Sequence, residues 1–302
     1  MWIDKGTAVQ FVHRAMSATN SESAVSLVTG AAGFIGSHLV DRLLERGARV
    51  IGIDNLVLGT KANLQQALCD PHFQFGALDL NETGPCLEFL SAKAAGRSID
   101  TVWHLAANSD IQAGVRDPDV DLRLTFLTTF NVLKMMHELR IPRIVFASTS
   151  AIYGDRDGAL VEDSGPLFPI SSYGAMKLAS EGIISAALER FLERAWICRF
   201  PNVVGSRATH GAIYDFIRKL RANPAELEVL GDGAQEKPYL EADYTEQCRA
   251  RRGDGKLTPL RRPEFVAAFI INVTRFPACA VVLESGAVRG VYSHSERNVV
   301  DD

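Results

Sequence analysis

Three closely spaced glycines constrain the fold of this chain more than any other feature. Gly30, Gly33 and Gly36 follow the apolar run Val25–Thr29 and open a segment with apolar residues at helical spacing. In a strand–turn–helix unit the first glycine permits a sharp turn, the second lets a pyrophosphate approach the backbone, and the third allows close helix–sheet packing. The loop therefore predicts a βαβ unit that binds a dinucleotide at a helix N-terminus.

An acidic residue lies where such a unit needs one. Asp54 ends the next apolar run, Arg49–Asp54, where a carboxylate can accept hydrogen bonds from the adenosine ribose and repel a 2′-phosphate. This position favours NAD over NADP. A glycine-rich turn with an unrelated loop carboxylate is the alternative, and the combination of strand, helix and acid makes it the weaker one. Asp79, after a third apolar run, either bonds the adenine amino group or opens a surface turn.

Apolar runs alternate with helix-like segments from residue 25 onward, which predicts an α/β fold with a Rossmann-type doubly wound parallel sheet. Hydrophobic residues make up 47% and charged residues 23%, so the disordered, collagen-like and coiled-coil classes are excluded. Helical spacing of apolar residues recurs at 35–44 and 120–136. The predicted strands are Val25–Thr29, Arg49–Asp54, Phe73–Phe75, Thr101–Leu105, Arg143–Ser148, Trp196–Phe200 and Leu227–Leu230.

Charge and cysteine content narrow the classes of partner. Lys and Arg total 32 against 36 Asp and Glu, so the net charge of -4 gives no general attraction for nucleic acid or an anionic membrane. The basic run at 249–262 is interpreted as a solvated face or a loop. The five cysteines are widely spaced, without a CxxC pair or a histidine at metal-ligand spacing. This pattern predicts no metal site and a reducing, cytoplasmic environment.

The sequence predicts no membrane anchor. The most apolar late stretch, Phe265–Leu283, contains Asn272, Arg275 and Pro277, so it falls short of the roughly 20 apolar residues that a membrane helix needs. Residues 1–24 lack the apolar run of a secretory signal. We therefore expect no membrane partner.

A tyrosine, a lysine and a threonine form a candidate catalytic group. Tyr173 and Lys177 lie four residues apart, so on a helix their side chains share one face. A tyrosine with a pKa of about 10 is a poor base, but a nearby ammonium and a cationic nicotinamide would both favour its phenolate. Thr149 follows the run Arg143–Ser148, at a strand end that faces the ligand crevice. The same spacing also arises by chance when a tyrosine and a lysine lie exposed on a helix. The dinucleotide loop upstream favours the catalytic interpretation.

One histidine lies inside a predicted strand. His104 belongs to the apolar run Thr101–Leu105. We interpret it as a buried histidine with satisfied hydrogen bonds, in the core or at the cofactor edge, and not as a catalyst.

These motifs, in this order, resemble the extended short-chain dehydrogenase/reductase family of NAD-dependent nucleotide-sugar epimerases and dehydratases. The resemblance covers residues 25–243 and is closest to the UDP-glucose 4-epimerase branch. The matching segments are Val28–Ser37, Ile53–Leu56, His104–Ala107, Phe146–Gly154, Tyr173 with Lys177, and Arg199–Gly205.

The resemblance implies roles for individual residues. Thr149 corresponds to the family's Ser/Thr, and Tyr173 corresponds to its base. Lys177 corresponds to the lysine near that base, which also holds the nicotinamide ribose. Asn202 corresponds to an asparagine near the sugar diphosphate, and Lys237 stands where an arginine commonly meets that diphosphate. The implied NAD-binding residues are Gly30, Gly33, Phe34, Ile35, Gly36, Asp54, Asn55, Asp79, Leu80, Ala106, Ala107, Tyr173 and Lys177.

The resemblance also implies an activity. Dehydratases of the family place Asp-Glu after the Ser/Thr, whereas Ser150 and Ala151 follow Thr149 here. The implied function is an NAD-dependent nucleotide-sugar 4-epimerase of the UDP-glucose/UDP-galactose type, with transient oxidation at C4. Two alternatives remain open: another nucleotide-sugar oxidoreductase or decarboxylase of the family, and a cofactor-binding protein inactive because of an altered C-terminus. Whether the chain forms a homodimer is also left open.

The family pattern stops between Asp243 and Tyr244, where relatives would carry a second acid, a long helix and further strands. The expected substrate lobe is therefore small and incomplete, and the rest of the chain is either diverged or the product of a reading-frame shift. The expected segments are an N-terminal extension (1–24), an NAD-binding Rossmann domain with the catalytic group (25–200), a partial substrate-binding lobe (201–243) and an atypical tail (244–302).

Overall fold

The computed structural model describes residues 25–156, 160, 164–229 and 239–242, and the backbone of three later strands at 264–266, 280–284 and 287–292. The chain divides into two compact units, one ending its first segment at Phe200 and the other beginning at Pro201. The glycine loop and the group formed by Thr149, Tyr173 and Lys177 therefore lie in the same unit.

The first unit is built around a parallel sheet, whose strands are β1 (Val25–Thr29), β2 (Arg49–Asp54), β3 (Phe73–Ala77), β4 (Ile99–His104), β5 (Arg143–Thr149), β6 (Arg194–Phe200) and a later strand, Glu264–Val266. Among the described residues the order is β3-β2-β1-β4-β5-β6, with the later strand beside β6. All neighbouring strands are parallel. This is the strand order of the Rossmann fold, which confirms the predicted class.

Helices pack on both faces of the sheet. Leu27 contributes to a core cluster with Leu90 and Val132, whereas Val28 belongs to a second cluster with Val40. Successive strand residues point to opposite faces, so a sheet buried on both sides needs continuously apolar strands. The helices of this unit are α1 (Phe34–Glu45), α2 (Thr83–Ala94), α3 (Ile111–Arg116), α4 (Pro118–Asp121), α5 (Thr128–Glu138) and α6 (Ser172–Leu188), with 3-10 turns at Lys61–Leu64, Ala67–Cys69 and Ser150–Tyr153.

The segment predicted to be helical at 120–136 is not one regular helix. A π-helical stretch, Leu122–Leu127, separates α4 from α5. The hydroxyls of Thr128 and Thr129 both donate to the carbonyl oxygen of Thr125 at 2.9 Å. Such side-chain bonds compete with the regular helical pattern, and apolar spacing alone does not reveal them.

Some predicted strand limits differ from the structure. The predicted strand Leu227–Leu230 is wrong over 227–229, which are not in a strand, and Leu230 lies outside the described residues. The strand at Phe73 continues to Ala77 because it pairs with β2 as far as Asp54. Long-range pairing, which a local pattern does not contain, sets these limits.

The second unit contains β7 (Asn202–Val204), which pairs in parallel with β8 (Tyr239–Glu241), and helix α7 (Ala212–Ala222). No residue of α7 is buried. Within the tail predicted at 244–302, Glu264–Val266 pairs with β6, and Ala280–Glu284 pairs antiparallel with Ala287–Tyr292. Part of the predicted tail therefore belongs to the first unit and part to the second.

Candidate active site

The backbone of the glycine loop packs so closely against neighbouring backbone atoms that Gly30 and Gly36 leave no room for a Cβ. Gly30 has a φ of +69°, and a Cβ there would lie 2.8 Å from the backbone nitrogen of Ala106. A Cβ on Gly36 would lie 2.0 Å from the carbonyl oxygen of Gly30. Ala106 thus borders the loop, and Ala107 after it is likewise half-buried. The contact at Gly36 agrees with the packing role predicted for the third glycine.

The loop leaves the start of α1 uncapped. Gly33 precedes the helix with an extended backbone, φ −72° and ψ 176°, and no side chain caps it. The first turn, from Phe34 and Ile35 onward, contains no acidic residue, and its first N–H groups have no acceptor within the helix. A helix N-terminus of this kind attracts phosphate oxygens. The residues present therefore fit the pyrophosphate of a dinucleotide.

Asp54 contacts the glycine loop directly. Its Oδ2 accepts a hydrogen bond from the backbone N–H of Ala32 at 3.0 Å, and its Oδ1 accepts one from Leu56 at 2.7 Å. Burial raises the pKa of Asp54, although these backbone donors oppose the shift. A Cβ on Gly59 would lie 2.9 Å from both carboxylate oxygens. Asp54 therefore joins the end of β2 to the loop, a role that sequence reasoning missed.

The other predicted adenosine-binding residues lie in turns and in the core. Asn55 Oδ1 accepts from the N–H of Val57 at 3.2 Å, and Asp79 Oδ1 accepts from the N–H of Asn81 at 2.9 Å. Asp79 therefore opens a turn, one of its two predicted roles, and its contact with adenine stays a prediction. The side chain of Leu80 is buried in the core.

A directional chain of hydrogen bonds runs through His104. Because Thr129 Oγ1 donates to Thr125, it accepts from His104 Nε2 at 3.0 Å. The other ring nitrogen, Nδ1, is then the acceptor for Thr29 Oγ1 at 2.7 Å, which itself accepts from the N–H of Ala106 at 3.4 Å. Burial lowers the pKa of His104 to about 3. The ring is neutral and fully bonded, which confirms the predicted satisfied histidine.

Thr149, Tyr173 and Lys177 come together at the end of β5. The side chains of Tyr173 and Thr149 are hydrogen-bonded, and Thr149 Oγ1 also accepts from the N–H of Ala151 at 3.1 Å. Lys177 Nζ donates to the carbonyl oxygen of Ala147 at 2.5 Å and lies 5.9 Å from the centre of the Tyr173 ring. The structure thus groups the three side chains selected from the sequence, and their catalytic roles stay predictions.

The start of α6 determines where Tyr173 lies. Ser171 caps this helix, because its Oγ accepts from the N–H of Gly174 at 3.1 Å. Gly174 approaches the 3-10 turn that follows Thr149, and a Cβ there would lie 2.7 Å from the carbonyl oxygen of Ala151. This close approach allows Tyr173 to reach the Thr149 hydroxyl.

Burial works against the ionisation expected from the sequence. Desolvation raises the pKa of Tyr173 to about 12, opposed by the bond to Thr149 and reinforced by Asp121. Desolvation also lowers the pKa of Lys177 to about 7, opposed by Glu181. In the protein without its cofactor, burial penalises the charged forms of both side chains. That Lys177 and a bound nicotinamide together favour the Tyr173 phenolate stays a prediction.

A buried ion pair behind this group was missed. Glu181 Oε1 accepts from Ser148 Oγ at 2.5 Å and from Arg199 Nε at 3.1 Å, and Oε2 accepts from Arg199 Nη2 at 2.8 Å. Arg199 Nη1 donates to the Tyr153 hydroxyl at 2.9 Å. The spacing of Glu181, four residues after Lys177, places it on the same helical face, but it gives no signal for the pairing with Arg199.

A buried carboxyl beside α3 was also missed. Asp121 Oδ1 accepts from Asn108 Nδ2 at 2.8 Å, whereas its Oδ2 is buried with no hydrogen-bond partner among the described residues. Burial raises the pKa of Asp121. A Cβ on Gly114 would lie 1.8 Å from Oδ2, so the helix approaches this carboxyl only because residue 114 is glycine.

We expect Gly114→Ala to destabilise the protein by about 1–3 kcal/mol, the usual cost of overpacking a buried site. The clash is not relieved cheaply, because the Asp121 side chain is short, buried and held by Asn108. Chemical denaturation of the full chain measures the change. Gly84→Ala is the matched control, because a Cβ there meets nothing within 4 Å. Equal stability of the two variants would contradict the prediction.

Of the predicted substrate-binding residues, Thr149 belongs to this group, and Asn202 and Lys237 were predicted to contact the sugar diphosphate. Asn202 is exposed at the start of β7 in the second unit, and Lys237 lies outside the described residues. In the described part of the chain, no cluster of three or more His, Cys, Asp or Glu could hold a metal ion. No helix there is both long and apolar enough to cross a membrane.

A dinucleotide-binding sheet with a threonine, a tyrosine and a lysine grouped at one strand end defines a protein of the short-chain dehydrogenase/reductase type. Within this class, the chain belongs to the NAD dependent epimerase/dehydratase family, whose sequence model matches residues 26–244. NAD is the cofactor of this family.

Individual relatives agree with this assignment. A UDP-glucose 4-epimerase of Halalkalibacterium halodurans is 37% identical over 180 residues, which is 60% of this chain and 51% of that protein. The crystal structure of a UDP-galactose 4-epimerase is 38% identical with a TM-score of 0.62, covering 74% of this chain and 70% of that one. UDP-glucuronic acid 4-epimerase from Bacillus cereus, in complex with UDP-glucuronic acid and NAD, is 30% identical with a TM-score of 0.65, covering 72% and 69%.

Proposed function

We propose that this chain is an NAD-dependent nucleotide-sugar 4-epimerase that interconverts UDP-glucose and UDP-galactose. The observation that carries the proposal is the contact of Tyr173 with Thr149, with Lys177 one helical turn away, at the carboxyl end of β5. Ligands of open parallel sheets bind at this edge. The similarity to UDP-glucose and UDP-galactose 4-epimerases supports the choice of substrate.

The residues of the glycine loop would hold the cofactor. The uncapped start of α1, at Gly33, Phe34 and Ile35, would bind the pyrophosphate. Asp54 would accept from the adenosine ribose through lone pairs that its two backbone bonds leave unused. Lys177 would bond the nicotinamide ribose. When bound, NAD supplies the acceptor, and later the donor, of the C4 hydride.

Tyr173 would act as the base that takes the proton from the C4 hydroxyl and later returns it. Thr149 is already bonded to Tyr173 and would share the same sugar oxygen. Because burial raises the pKa of Tyr173 to about 12, the phenolate needs cationic neighbours in the active complex, and protonated Lys177 is one. Asn202 and Lys237 would contact the sugar diphosphate.

UDP-glucuronate is the second candidate substrate, because an enzyme that acts on it is similar to this chain over nearly the same extent. An NMR assay of UDP-glucose, UDP-galactose and UDP-glucuronate with added NAD tests both candidates. We expect C4 inversion of UDP-glucose without net NADH formation. Inversion of UDP-glucuronate alone would reassign the substrate, and net NADH formation would indicate an oxidoreductase or a decarboxylase. NAD binding without any turnover would indicate a cofactor-binding protein that has no enzymatic activity.

We expect Asp54→Asn to narrow the preference for NAD over NADP by about tenfold or more, which is about 1.4 kcal/mol. The change removes the carboxylate charge that would face the 2′-phosphate but keeps the shape of the side chain. Titration of both cofactors into each protein measures the ratio. Asp119→Asn, which removes one exposed charge elsewhere, is the control. An unchanged ratio in Asp54→Asn would remove Asp54 from the proposed site.

A further inference from the structure

Among the described residues, the Glu181 carboxylate is hydrogen-bonded by Arg199 and Ser148, and no bond joins it to Lys177, its neighbour on the helix. Glu181 is 5% exposed and Arg199 is 4% exposed, and the guanidinium binds both carboxylate oxygens. Ser148 donates a further bond to Oε1. Three charge-assisted hydrogen bonds in a buried setting fix the position of this carboxylate.

The spacing of Glu181 would otherwise lead to a different contact. Residues four apart on a helix are neighbours, so a free glutamate at 181 would reach the ammonium of Lys177. Among the described residues Glu181 pairs with Arg199 instead, and Lys177 Nζ donates to the carbonyl oxygen of Ala147. Glu181 nevertheless lies one helical turn from Lys177, on the same buried face of α6, and from there its charge opposes the loss of the Lys177 charge. The ammonium is therefore stabilised without being drawn into a direct ion pair.

The hydrogen bonds of Glu181 and Arg199 also involve residues on both sides of Thr149 in the chain. Ser148 precedes Thr149 on β5, and Tyr153 closes the 3-10 turn that Thr149 begins. Arg199 bonds the Tyr153 hydroxyl and stacks over its ring at 5.2 Å. The ion pair thus links β5, β6, α6 and this turn.

We propose that Glu181 is a positioning residue that keeps Lys177 a cation beside Tyr173, and that Arg199 keeps Glu181 out of direct contact with Lys177. The inference rests on the proposed reaction, and the arrangement meets two requirements of that reaction. Lys177 must carry charge to favour the Tyr173 phenolate, and its Nζ must remain available for Ala147 and the cofactor ribose.

Other groups also interact with Lys177. Its charge acts on the neutral ring of His104, and its Nζ lies over the Phe146 ring, 4.6 Å from the ring centre. The neighbouring β5 residues, Phe146 to Ser148, carry no charge. Within the part of the chain that the structure describes, the titratable groups that act on or adjoin Lys177 are Tyr173, Glu181 and His104. Arg199 is bound to Glu181, and Asp121 acts on Tyr173.

The titration of Lys177 tests the inference, because the two partners are expected to shift it in opposite directions. In the full chain labelled with ¹³C-lysine, the Lys177 signal is identified by its loss in Lys177→Met. We expect Glu181→Gln to lower the pH midpoint of Lys177 by about one unit, because a nearby opposite charge is removed. We expect Arg199→Leu to raise this midpoint, because the released carboxylate then pairs with the ammonium.

A merely structural role gives a different result. Loosening of the helix would hydrate Lys177 and move its midpoint upward, toward its ordinary value of about 10.4, in both variants. Glu181→Gln also removes the carboxylate that balances the buried Arg199 charge. A double variant, Glu181→Gln with Arg199→Met, therefore removes both charges and keeps the side-chain volumes similar. A midpoint that rises or stays unchanged in the double variant would overturn the inference.

Kinetics provide a second measurement. At a pH equal to the Lys177 midpoint of the wild type, a midpoint one unit lower reduces the charged fraction of Lys177 from about one half to about one tenth. We therefore expect kcat of Glu181→Gln to fall roughly fivefold with KM unchanged. The titration needs neither substrate nor turnover. An inactive wild-type chain would therefore contradict the proposed function, whereas the titration would still test the effect of Glu181 on Lys177. A normal kcat in Glu181→Gln, with an unshifted Lys177, would refute the role of Glu181.

Discussion

Tyr173→Phe is expected to lower the rate of epimerisation by about 10²- to 10⁴-fold, the usual contribution of a positioned acid–base group. The substitution deletes only the phenol oxygen, which is the atom bonded to Thr149, and leaves the ring that packs near Lys177. We therefore expect the NAD affinity to change little. Turnover followed by NMR and NAD binding followed by calorimetry measure the two effects separately.

Tyr214→Phe is the matched control for this result. It removes the same atom from a partly exposed tyrosine of α7 in the second unit, so activity should be unchanged. If Tyr173→Phe turned over as fast as the wild type, the proposed base would be wrong. If it lost NAD binding as well, the phenol would have a structural role in the cofactor site.

Gly36→Ala is expected to reduce both stability and cofactor binding. The added Cβ would lie 2.0 Å from the carbonyl oxygen of Gly30, and this atom belongs to the backbone, so it cannot rotate away. We expect a loss at the upper end of about 1–3 kcal/mol, which corresponds to a fall in Tm of roughly 6–12 °C. Displacement of the loop should also weaken NAD binding by more than tenfold. Thermal unfolding with and without NAD measures both.

Gly182→Ala, in helix α6, isolates the effect of the contact from the effect of losing a glycine. A Cβ at 182 meets nothing within 4 Å, and alanine is favoured over glycine in a helix by about 1 kcal/mol. The control should therefore be as stable as the wild type or more stable. Equal behaviour of Gly36→Ala and Gly182→Ala would contradict the packing of the loop described here.

Sequence reasoning succeeded where the determining interactions are local. The glycine spacing, with an apolar strand before it and an amphipathic helix after it, predicted the loop at Gly30 and the helix from Phe34. The four-residue spacing of Tyr173 and Lys177 predicted one helical face, and α6 contains both. It failed where tertiary pairing decides, as at the limits of β3 and at Leu227. The predicted roles of the site residues and the predicted segment boundaries remain to be tested by experiment.

The fold class, the family and the grouping of Thr149, Tyr173 and Lys177 could be predicted from the sequence, because motif spacing and strand periodicity are encoded by neighbouring residues. How that group is charged depends instead on the tertiary structure. Burial raises the pKa of Tyr173 and lowers that of Lys177, and burial depends on everything packed around a side chain. The pairing of Glu181 with Arg199 likewise joins a helix to a strand. Glu181 and Arg199 become neighbours only when the sheet has formed.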